Sequence, residues 1–488
     1  MGSIARGDRG DGRRSVGLAA TLAGAAALGL APAVAAQAAA DLSEDVRRYV
    51  AVDAPVVAIT NVTLLDGTGA AARRGQTVVV RDGRVDEVAA SALYDVPAGA
   101  QVIDGTGHTL IPGLVGLHNH LYYTAAGGRA AQLSYSAPRL YLGSGVTTVR
   151  TTGSRNAYAE INLKHEIEAG RQPGPRIHIT APYITGGTGA TTMTLLDTPE
   201  EARRFVAYWA QEGATWLKAY TNIRRAELGA AIDEAHRHGI KVTGHLCSVS
   251  FTEAVELGID NLEHGLLTNT DYDPEKQPDR CSPNTIVESG GVDPTSREVQ
   301  ATFRAMIDAG VPMTSTLAVY ELFVPDRSVT DPRTLQAMTP DVREAYLAAR
   351  RRIDETRQGI SPEAFANAMA YEKAFVEAGG VLAAGVDPTG NGGALPGYGD
   401  QRNFELLREA GFSPEETVRI MSANGAAVLG EDGLGTVAPG RTADLVLLRG
   451  DLTADPAVIR NVVTVFKGGV GYDSARLLEG VKGRVGIS

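Results

Sequence analysis

The sequence predicts an α/β fold: a (β/α)8 barrel of the TIM type with a small β-sandwich domain built from both chain ends. Three observations lead to this prediction. The middle of the chain alternates apolar strand-like runs with helical segments, which is typical of a parallel sheet with crossover helices. Both ends instead contain short strands separated by glycine-rich turns. The length of 488 residues allows one large domain and one small one.

The middle region, residues 111–429, is predicted to be the barrel, and residues 41–110 plus 430–488 the composite β-domain. Eight strands are predicted in the middle region, at residues 114–118, 146–151, 176–183, 215–220, 241–245, 261–264, 313–317 and 381–386. Helices lie between them; Thr198 followed by Pro199, for example, predicts a helix start. An open doubly wound sheet is the alternative, but no glycine-rich phosphate loop follows the first strand.

Residues 1–35 are predicted to be an export signal that is removed from the mature protein. Arg13 and Arg14 precede an apolar run of Ala, Leu and Gly, which ends in a small-residue pattern at Ala35. A basic start, an apolar middle and an A-x-A site are typical of a secretory signal, and the paired arginines favour the twin-arginine type. The mature protein is therefore expected in the periplasm or outside the cell. A membrane anchor is the alternative, but the apolar run is only weakly hydrophobic.

Composition and charge exclude several classes of protein. A net charge of -11 disfavours a protein that binds nucleic acid non-specifically, because such proteins need a basic face. No stretch after the predicted signal approaches the roughly 20 apolar residues of a membrane-spanning helix. Cys247 and Cys281 are the two cysteines, too few for a disulfide framework or a cysteine-based zinc site. In an exported protein they either form a single disulfide or remain two buried thiols.

The most informative stretch is residues 111–120, an apolar run that ends in His118 and His120. Residues two apart on a strand point to the same side. Two imidazoles aimed at one point are suited to a divalent metal ion. Taken alone, the pair has an alternative interpretation as hydrogen-bonded core histidines.

Four further polar residues lie at or near the ends of later predicted strands: Lys218, His245, His264 and Asp387. In a (β/α)8 barrel the catalytic groups lie at the carboxyl ends of the strands, so these side chains are expected to meet. A lysine within an apolar strand is costly to bury as a cation, so it must be paired, neutral or modified. Each histidine alone is explained by core packing, but the whole set predicts a metal site.

These residues make the chain similar to the amidohydrolase superfamily. The matching features are the His-x-His after the first strand, the fourth-strand lysine, the single histidines after strands five and six, and the eighth-strand aspartate. Residues 110–118 resemble that family's entry into the barrel, and residues 435–446 resemble its return into the β-domain. The resemblance covers residues 55–470 and is closest to the imidazolonepropionase-like and Xaa-Pro-dipeptidase-like branches.

The resemblance implies a centre of two divalent metal ions, usually zinc. The implied ligands are His118, His120 and Asp387 for the more buried ion, His245 and His264 for the other, and carboxylated Lys218 as the bridge. A hydroxide would complete the bridge and attack the substrate carbonyl, since metal coordination lowers the pKa of water toward about 7. Asp387 would accept the proton and pass it to the leaving nitrogen.

Four residues are candidates for substrate contacts. Tyr220, on the same strand face as Lys218, is expected to donate a hydrogen bond to the developing oxyanion, with packing as the alternative. Arg150 offers a bidentate fork for a substrate carboxylate, and a structural salt bridge explains it equally well. Tyr122 and Tyr123 are candidate pocket walls, and simple packing again remains open.

The sequence therefore predicts an exported binuclear amidohydrolase that cleaves the amide or peptide bond of a dipeptide or an N-acyl amino acid. The alternative is a mononuclear cyclic-amidine hydrolase or deaminase of imidazolonepropionase type, which uses no bridging lysine. A third class, a binding module with a structural metal, is disfavoured because structural zinc sites are closed. The expected partner is a small-molecule substrate, and homo-oligomerisation is left open.

Overall fold

The computed structural model describes residues 41–124, 129–187, 193–282, 289–327, 331–388 and 392–487. The predicted export signal therefore lies outside the described residues. The described residues all fall within one compact unit, so the β-rich chain ends and the α/β middle belong to a single body. Within the described ranges, no helix is long and apolar enough to cross a membrane.

The strands are numbered here in chain order. They are β1 (Val50–Val52), β2 (Val56–Leu64), β3 (Arg73–Arg81), β4 (Arg84–Ala90), β5 (Gln101–Asp104), β6 (His108–Pro112), β7 (Leu114–Asn119), β8 (Tyr122–Thr124), β9 (Ala130–Gln132), β10 (Val146–Thr151), β11 (Arg176–His178), β12 (Ile184–Thr185), β13 (Thr194–Leu195), β14 (Trp216–Ala219), β15 (Lys241–Gly244), β16 (Asn261–Glu263), β17 (Met313–Ser315), β18 (Leu382–Ala384), β19 (Leu445–Arg449), β20 (Val462–Lys467) and β21 (Val470–Asp473). All eight strands predicted for the middle region are present, as β7, β10, β11 and β14 to β18, although several end earlier than predicted.

The α-helices lie mainly between these parallel strands. They span Glu44–Arg47, Ser136–Gly143, Ala157–Glu168, Pro199–Gln211, Arg225–Arg237, Phe251–Glu256, Arg297–Asp308, Leu317–Glu321, Pro332–Ala337, Pro340–Thr356, Pro362–Glu377, Tyr398–Glu409, Pro414–Arg419, Gly425–Leu429 and Ser474–Glu479. The predicted helix start at Thr198 is confirmed: its side chain accepts a hydrogen bond from the Glu201 amide, and Pro199 occupies the first turn. The cap works because the first amides of a helix have no partner inside it.

Strands from both chain ends form one nine-stranded sheet in the order β1-β21-β20-β19-β6-β2-β3-β4, with β5 beside β2. Two pairings link the chain ends: β1 pairs antiparallel with β21, and β6 pairs antiparallel with β19 and parallel with β2. The nine-residue strand β2 pairs with β5 along its first half and with β6 along its second half. Apolar side chains of β2, β3, β19 and β20 lie in one buried cluster.

The parallel strands form two sheets, β11-β10-β7 and β13-β12-β14-β15-β16-β17-β18. Backbone hydrogen bonds link the two sheets at both sides. The Thr215 amide donates to the Ile179 carbonyl at 2.9 Å, and the Val386 and Asp387 amides both donate to the His118 carbonyl at 2.9 Å. These links support the closed arrangement of strands that the sequence predicts, and they bring β18 beside β7.

Cys247 and Cys281 form a disulfide, with their Cα atoms 4.8 Å apart. Of the two states left open by the sequence, the structure therefore contains the bonded one. The bond connects the segment just after β15 to the long connection that follows β16. Because Cys247 lies two residues after His245, the disulfide fixes the chain next to a predicted metal ligand.

Candidate metal centre

The six predicted metal ligands lie together at the carboxyl ends of five parallel strands. They are His118 and His120 at β7, Lys218 in β14, His245 after β15, His264 after β16 and Asp387 after β18. The imidazole rings form an unbroken series of contacts. Ring centroids are 5.4 Å apart for His118 and His120, 4.5 Å for His118 and His264, and 4.4 Å for His264 and His245. The sequence prediction that distant strand ends bring these side chains together thus agrees with the structure.

Asp387 lies at the centre of this cluster. Its carboxylate oxygens are 3.0 Å from Nε2 of His120, 3.5 Å from Nε2 of His118 and 3.9 Å from Nε2 of His264. Burial opposes ionisation, but the charge of His118 and the hydrogen bonds of His118 and His120 hold the pKa of Asp387 well below its ordinary value. Ligand atoms of His118, His264 and Asp387 all lie within 4.8 Å of one another, close enough to share one metal ion.

The outer nitrogens of the two β7 histidines have fixed hydrogen-bond roles. Nδ1 of His118 is 2.8 Å from Oε2 of Glu263, and Nδ1 of His120 is 3.3 Å from the Gly153 carbonyl. A carboxylate and a carbonyl only accept, so each Nδ1 carries the proton and donates. Nε2 of each ring faces the Asp387 carboxylate, and a proton or a metal ion can join the nitrogen to the oxygen there. Two imidazole nitrogens and a carboxylate that converge in a buried site therefore fit a metal ion.

His264 and His245 complete the histidine set. Nδ1 of His264 lies 2.7 Å from the Thr316 hydroxyl, whereas its Nε2 is buried and has no hydrogen-bond partner within the described residues. Burial, reinforced by neighbouring positive groups, lowers the pKa of His245 to about 3 and that of His264 well below its ordinary value. Both imidazoles are therefore neutral near pH 7, as metal ligands must be.

Lys218 is fully buried beside the histidines. Its amine makes no hydrogen bond in the parts of the chain that the structure describes, and the nearest carboxylate oxygen, Oε1 of Glu263, is 4.0 Å away. Burial lowers the pKa of the amine to about 8, although Glu263 and Asp387 act in the opposite direction. A buried, unsatisfied amine with a lowered pKa is costly to retain, and such groups occur preferentially at functional sites.

A close backbone contact and two left-handed backbone conformations shape the site. A Cβ on Gly385 would lie 2.3 Å from the His118 amide nitrogen, so only glycine lets β18 approach β7 this closely. His264 and Asp387 adopt left-handed backbone conformations, with φ of 70° and 51°. Each non-glycine residue in this region costs about 1 kcal/mol or more. The surrounding fold imposes this strain at two predicted ligands, where it turns their side chains to the centre.

The predicted substrate tyrosines have different surroundings. Tyr220 is half-buried, with its ring 4.6 Å from that of His245, and burial raises its pKa to about 12, so the phenol remains a hydrogen-bond donor. The Tyr122 ring lies 5.0 Å from that of His120. Tyr123 donates to the Gly392 carbonyl at 3.1 Å and packs in the main hydrophobic core, which favours the packing alternative for this residue.

Arg150 does not face a substrate pocket. It is fully buried, and its guanidinium lies 2.5 Å from Oε1 of Glu263 while its Nε donates to the Leu117 carbonyl at 2.8 Å. The interpretation of Arg150 as a substrate-binding fork is therefore corrected to the structural ion pair that the sequence left open. The physical reason is that the Arg150 side chain points inward beneath the histidines, where a buried glutamate neutralises it.

Three residues that the sequence analysis did not select also belong to the site. Glu263 accepts a hydrogen bond from His118. The argument that singled out Lys218, a charged residue within an apolar strand, applies to Glu263 as well. Tyr183 hydrogen-bonds Tyr122 between hydroxyls at 2.6 Å and approaches Nδ1 of His120 at 3.2 Å. The Tyr320 ring lies 5.4 Å from that of His264. For the two tyrosines the sequence carries no signal, since their role depends on the path of the chain.

The Amidohydrolase family model matches residues 109–471, well over half of the chain. The chain belongs to the amidohydrolase family, and the protein is a hydrolase that acts on carbon–nitrogen bonds. Both predictions from the sequence are confirmed at this level.

Individual relatives agree with this assignment. The chain is 22% identical to the enamidase of Eubacterium barkeri over 387 residues, which cover 77% of this chain and 81% of the relative. It is 32% identical to the imidazolonepropionase of Salinispora arenicola over 164 residues, 33% of this chain and 38% of the relative. The crystal structure of a putative prolidase from Bifidobacterium longum is 26% identical, with a TM-score of 0.63, covering 87% of this chain and 98% of that chain. This likeness in fold agrees with a barrel that carries an additional domain.

Proposed function

We propose that the protein is an exported binuclear amidohydrolase that cleaves the amide or peptide bond of a dipeptide or an N-acyl amino acid. In this proposal the eight parallel strands close into a (β/α)8 barrel, and the substrate enters at their carboxyl ends. The single observation that carries the binuclear assignment is the buried amine of Lys218, which has no hydrogen-bond partner among the described residues.

The chemistry of Lys218 explains why two metal ions are proposed. With its pKa lowered to about 8, about a tenth of the amine is neutral near pH 7, and this form can react with carbon dioxide. A nitrogen–carbon bond forms, a proton is released, and the product is a carbamate anion. An anion at this position would lie between the pair His118 and His120 and the pair His245 and His264, and would bind two cations at once.

The remaining roles are those that the family resemblance implies for these side chains. His118, His120 and Asp387 would hold one ion, with His245 and His264 holding the other. Two bound divalent ions would lower the pKa of water and polarise the substrate carbonyl. Asp387, ionised and central, is the base that accepts a proton and returns it to the leaving nitrogen.

Tyr220 complements Asp387 at the open side of the site. Its phenol keeps its proton because its pKa is raised to about 12, so it acts as a donor to the carbonyl oxygen as negative charge develops there. Tyr122 and Tyr183 form a wall next to His120 through their paired hydroxyls. This wall is proposed to shape the pocket, while Tyr123 packs behind it.

Export is proposed from the sequence of residues 1–35, which favours the twin-arginine route. The disulfide between Cys247 and Cys281 supports export, because such bonds persist in oxidising compartments and are rare in the cytoplasm. Transport of a folded chain would also allow the metal ions to bind before export.

A mononuclear hydrolase of imidazolonepropionase type is the second candidate. It is favoured by the compact trio His118, His264 and Asp387, whose ligand atoms lie within 4.8 Å and would suffice for one ion. The enamidase and imidazolonepropionase relatives support this candidate, whereas the putative prolidase supports a peptide substrate. The unsatisfied Lys218 has no function in a mononuclear site, and we therefore place this candidate second.

The proposed function is tested by turnover. Zinc-loaded protein is screened against a library of dipeptides and N-acyl amino acids, before and after removal of metal by a chelator. We expect hydrolysis of some members, complete loss on chelation, and recovery when zinc is restored. Replacing Lys218 with Met should abolish turnover, whereas Lys241→Met, which removes a lysine from the neighbouring strand β15, should retain it. Hydrolysis that survives both chelation and Lys218→Met would contradict the proposal.

A further inference from the structure

Arg155 is an arginine next to the candidate metal centre. It follows β10 in the turn before the helix Ala157–Glu168. Its Nε is buried without a hydrogen-bond partner, and among the described residues no carboxylate forms an ion pair with its guanidinium. An arginine in a partly buried position normally has an acceptor, because a guanidinium with unsatisfied donors is costly to desolvate. The missing acceptor is therefore a candidate ligand.

The guanidinium lies on the wall of the proposed pocket. Its carbon Cζ is 4.6 Å above the Tyr122 ring, and that ring is 5.0 Å from the imidazole of His120. One side chain thus separates the positive charge from a metal ligand.

The turn that carries Arg155 is fixed by its neighbours. Gly153 adopts φ of +93°, and a Cβ there would lie 2.4 Å from the Tyr183 ring, so the ring packs directly on the glycine backbone. Ser154 forms a parallel bridge with Pro182. A side chain on such a turn is held in place before the substrate arrives, which reduces the entropic cost of binding.

We propose that Arg155 binds the carboxylate of the substrate and makes the enzyme specific for acyl amino acids and dipeptides with a free C-terminal carboxylate. The inference rests on the proposed function, because it places the scissile amide at the metal centre and the carboxylate beside Tyr122. Arg150 cannot take this role because Glu263 already neutralises it. The planar guanidinium matches a carboxylate through two parallel hydrogen bonds, and no carboxylate of the described residues pairs with it.

The first test compares each hydrolysed acid with its C-terminal carboxamide. For the unmodified enzyme we expect kcat/KM to be at least about 30-fold higher for the acid than for the carboxamide, because the carboxamide cannot form a charge-assisted hydrogen-bonded pair with Arg155. Arg155→Met should remove this difference through KM while leaving the carboxamide unchanged, and Arg155→Lys should restore part of it. Arg48→Met is the matched control, because Arg48 also lies over a tyrosine ring, 4.9 Å from Tyr49, but in the segment before β1.

Equal turnover of acids and carboxamides by the unmodified enzyme would overturn the role of Arg155 and leave the amidohydrolase assignment intact. An equal loss for acids and carboxamides in Arg155→Met would also overturn it, since a purely structural role predicts that result.

A second test does not need turnover. Phenylglyoxal modifies free arginine side chains, and peptide mass spectrometry reads the extent of labelling at Arg155 and Arg48 in the metal-loaded protein. We expect a mixture of N-acetyl amino acids to slow labelling of Arg155 at least threefold, the matching carboxamides to have no effect, and Arg48 to be unaffected by either. Protection by acids in a protein that hydrolyses none of them would support the carboxylate site and contradict the proposed function. Equal protection by acids and carboxamides, or no protection, would overturn the inference.

Discussion

Replacement of Glu263 by Gln tests whether this carboxylate holds His118 in the protonation state that a ligand of the candidate metal centre needs. The buried carboxylate accepts hydrogen bonds from Nδ1 of His118 at 2.8 Å and from Arg150 at 2.5 Å, as well as from the Thr243 hydroxyl. A glutamine can keep the bonds from Arg150 and Thr243 through its carbonyl oxygen, but its amide nitrogen then faces His118. Two donors cannot face each other, so the imidazole must move its proton to Nε2.

The expected magnitudes follow from that change. A proton on Nε2 of His118 occupies the lone pair that faces Asp387 and removes one metal ligand. Loss of an outer hydrogen bond to a ligating histidine typically weakens metal binding about 10- to 100-fold. The substitution also leaves the charge of fully buried Arg150 without its counter-ion, which costs about 3 kcal/mol of unfolding free energy. Burial opposes ionisation of Glu263, yet Lys218, His118 and Arg150 hold its pKa well below its ordinary value, so the charge is present in the unmodified protein.

Two measurements check this prediction on Glu263→Gln. Urea denaturation of the metal-free protein gives the free energy of unfolding, and competition with a chromophoric chelator gives the zinc affinity. Asp86→Asn is the control, because it removes an exposed pair, with Arg81 Nε 2.9 Å from Asp86, worth less than about 1 kcal/mol. Unchanged zinc affinity together with unchanged unfolding in Glu263→Gln would refute the assigned role of the carboxylate.

Three further predictions concern other parts of the molecule. Replacing Cys247 and Cys281 with Ser should lower the unfolding free energy by about 4 kcal/mol, because the disulfide closes a loop with a sequence separation of 34; a urea midpoint that does not move would contradict this. Burial raises the pKa of Glu372 to about 8, so the folded state retains a proton that the unfolded state loses, and stability should fall as pH rises from about 5 to 8. Glu372→Gln should make this fall shallower, by up to about 1.4 kcal/mol per pH unit, and parallel stability curves would count against it. Tyr220→Phe should reduce kcat about 100-fold with little change in KM, whereas a loss below threefold would favour packing.

Most residues of the candidate metal centre could be predicted because the evidence for them is local in the sequence: the spacing of residues, their position at strand ends and the polarity of their neighbours. The spacing of His118 and His120 fixes both on one strand face, and the barrel prediction places the later candidates at the same edge. The lysine in an apolar strand could be recognised from the cost of burying a charge. These inferences need no knowledge of side-chain packing.

The features that could not be predicted depend on the path of the chain in three dimensions. Arg150 and Arg155 are five positions apart, and the sequence does not show that one points inward to Glu263 while the other lies on Tyr122. That difference arises from the turn at Gly153. The pairing of β2 with two different strands could not be predicted either, because the sequence shows strands at both chain ends but not how β2 pairs along its length. Pairing of the two cysteines likewise depends on loops that meet only in the folded chain.

The number of metal ions bound per folded chain tests the central claim most directly. Elemental analysis of zinc-loaded protein is expected to give two ions per chain, and Lys218→Met is expected to lower that number to one or fewer while the fold is retained. A single ion in both proteins would contradict the binuclear centre and favour a mononuclear hydrolase.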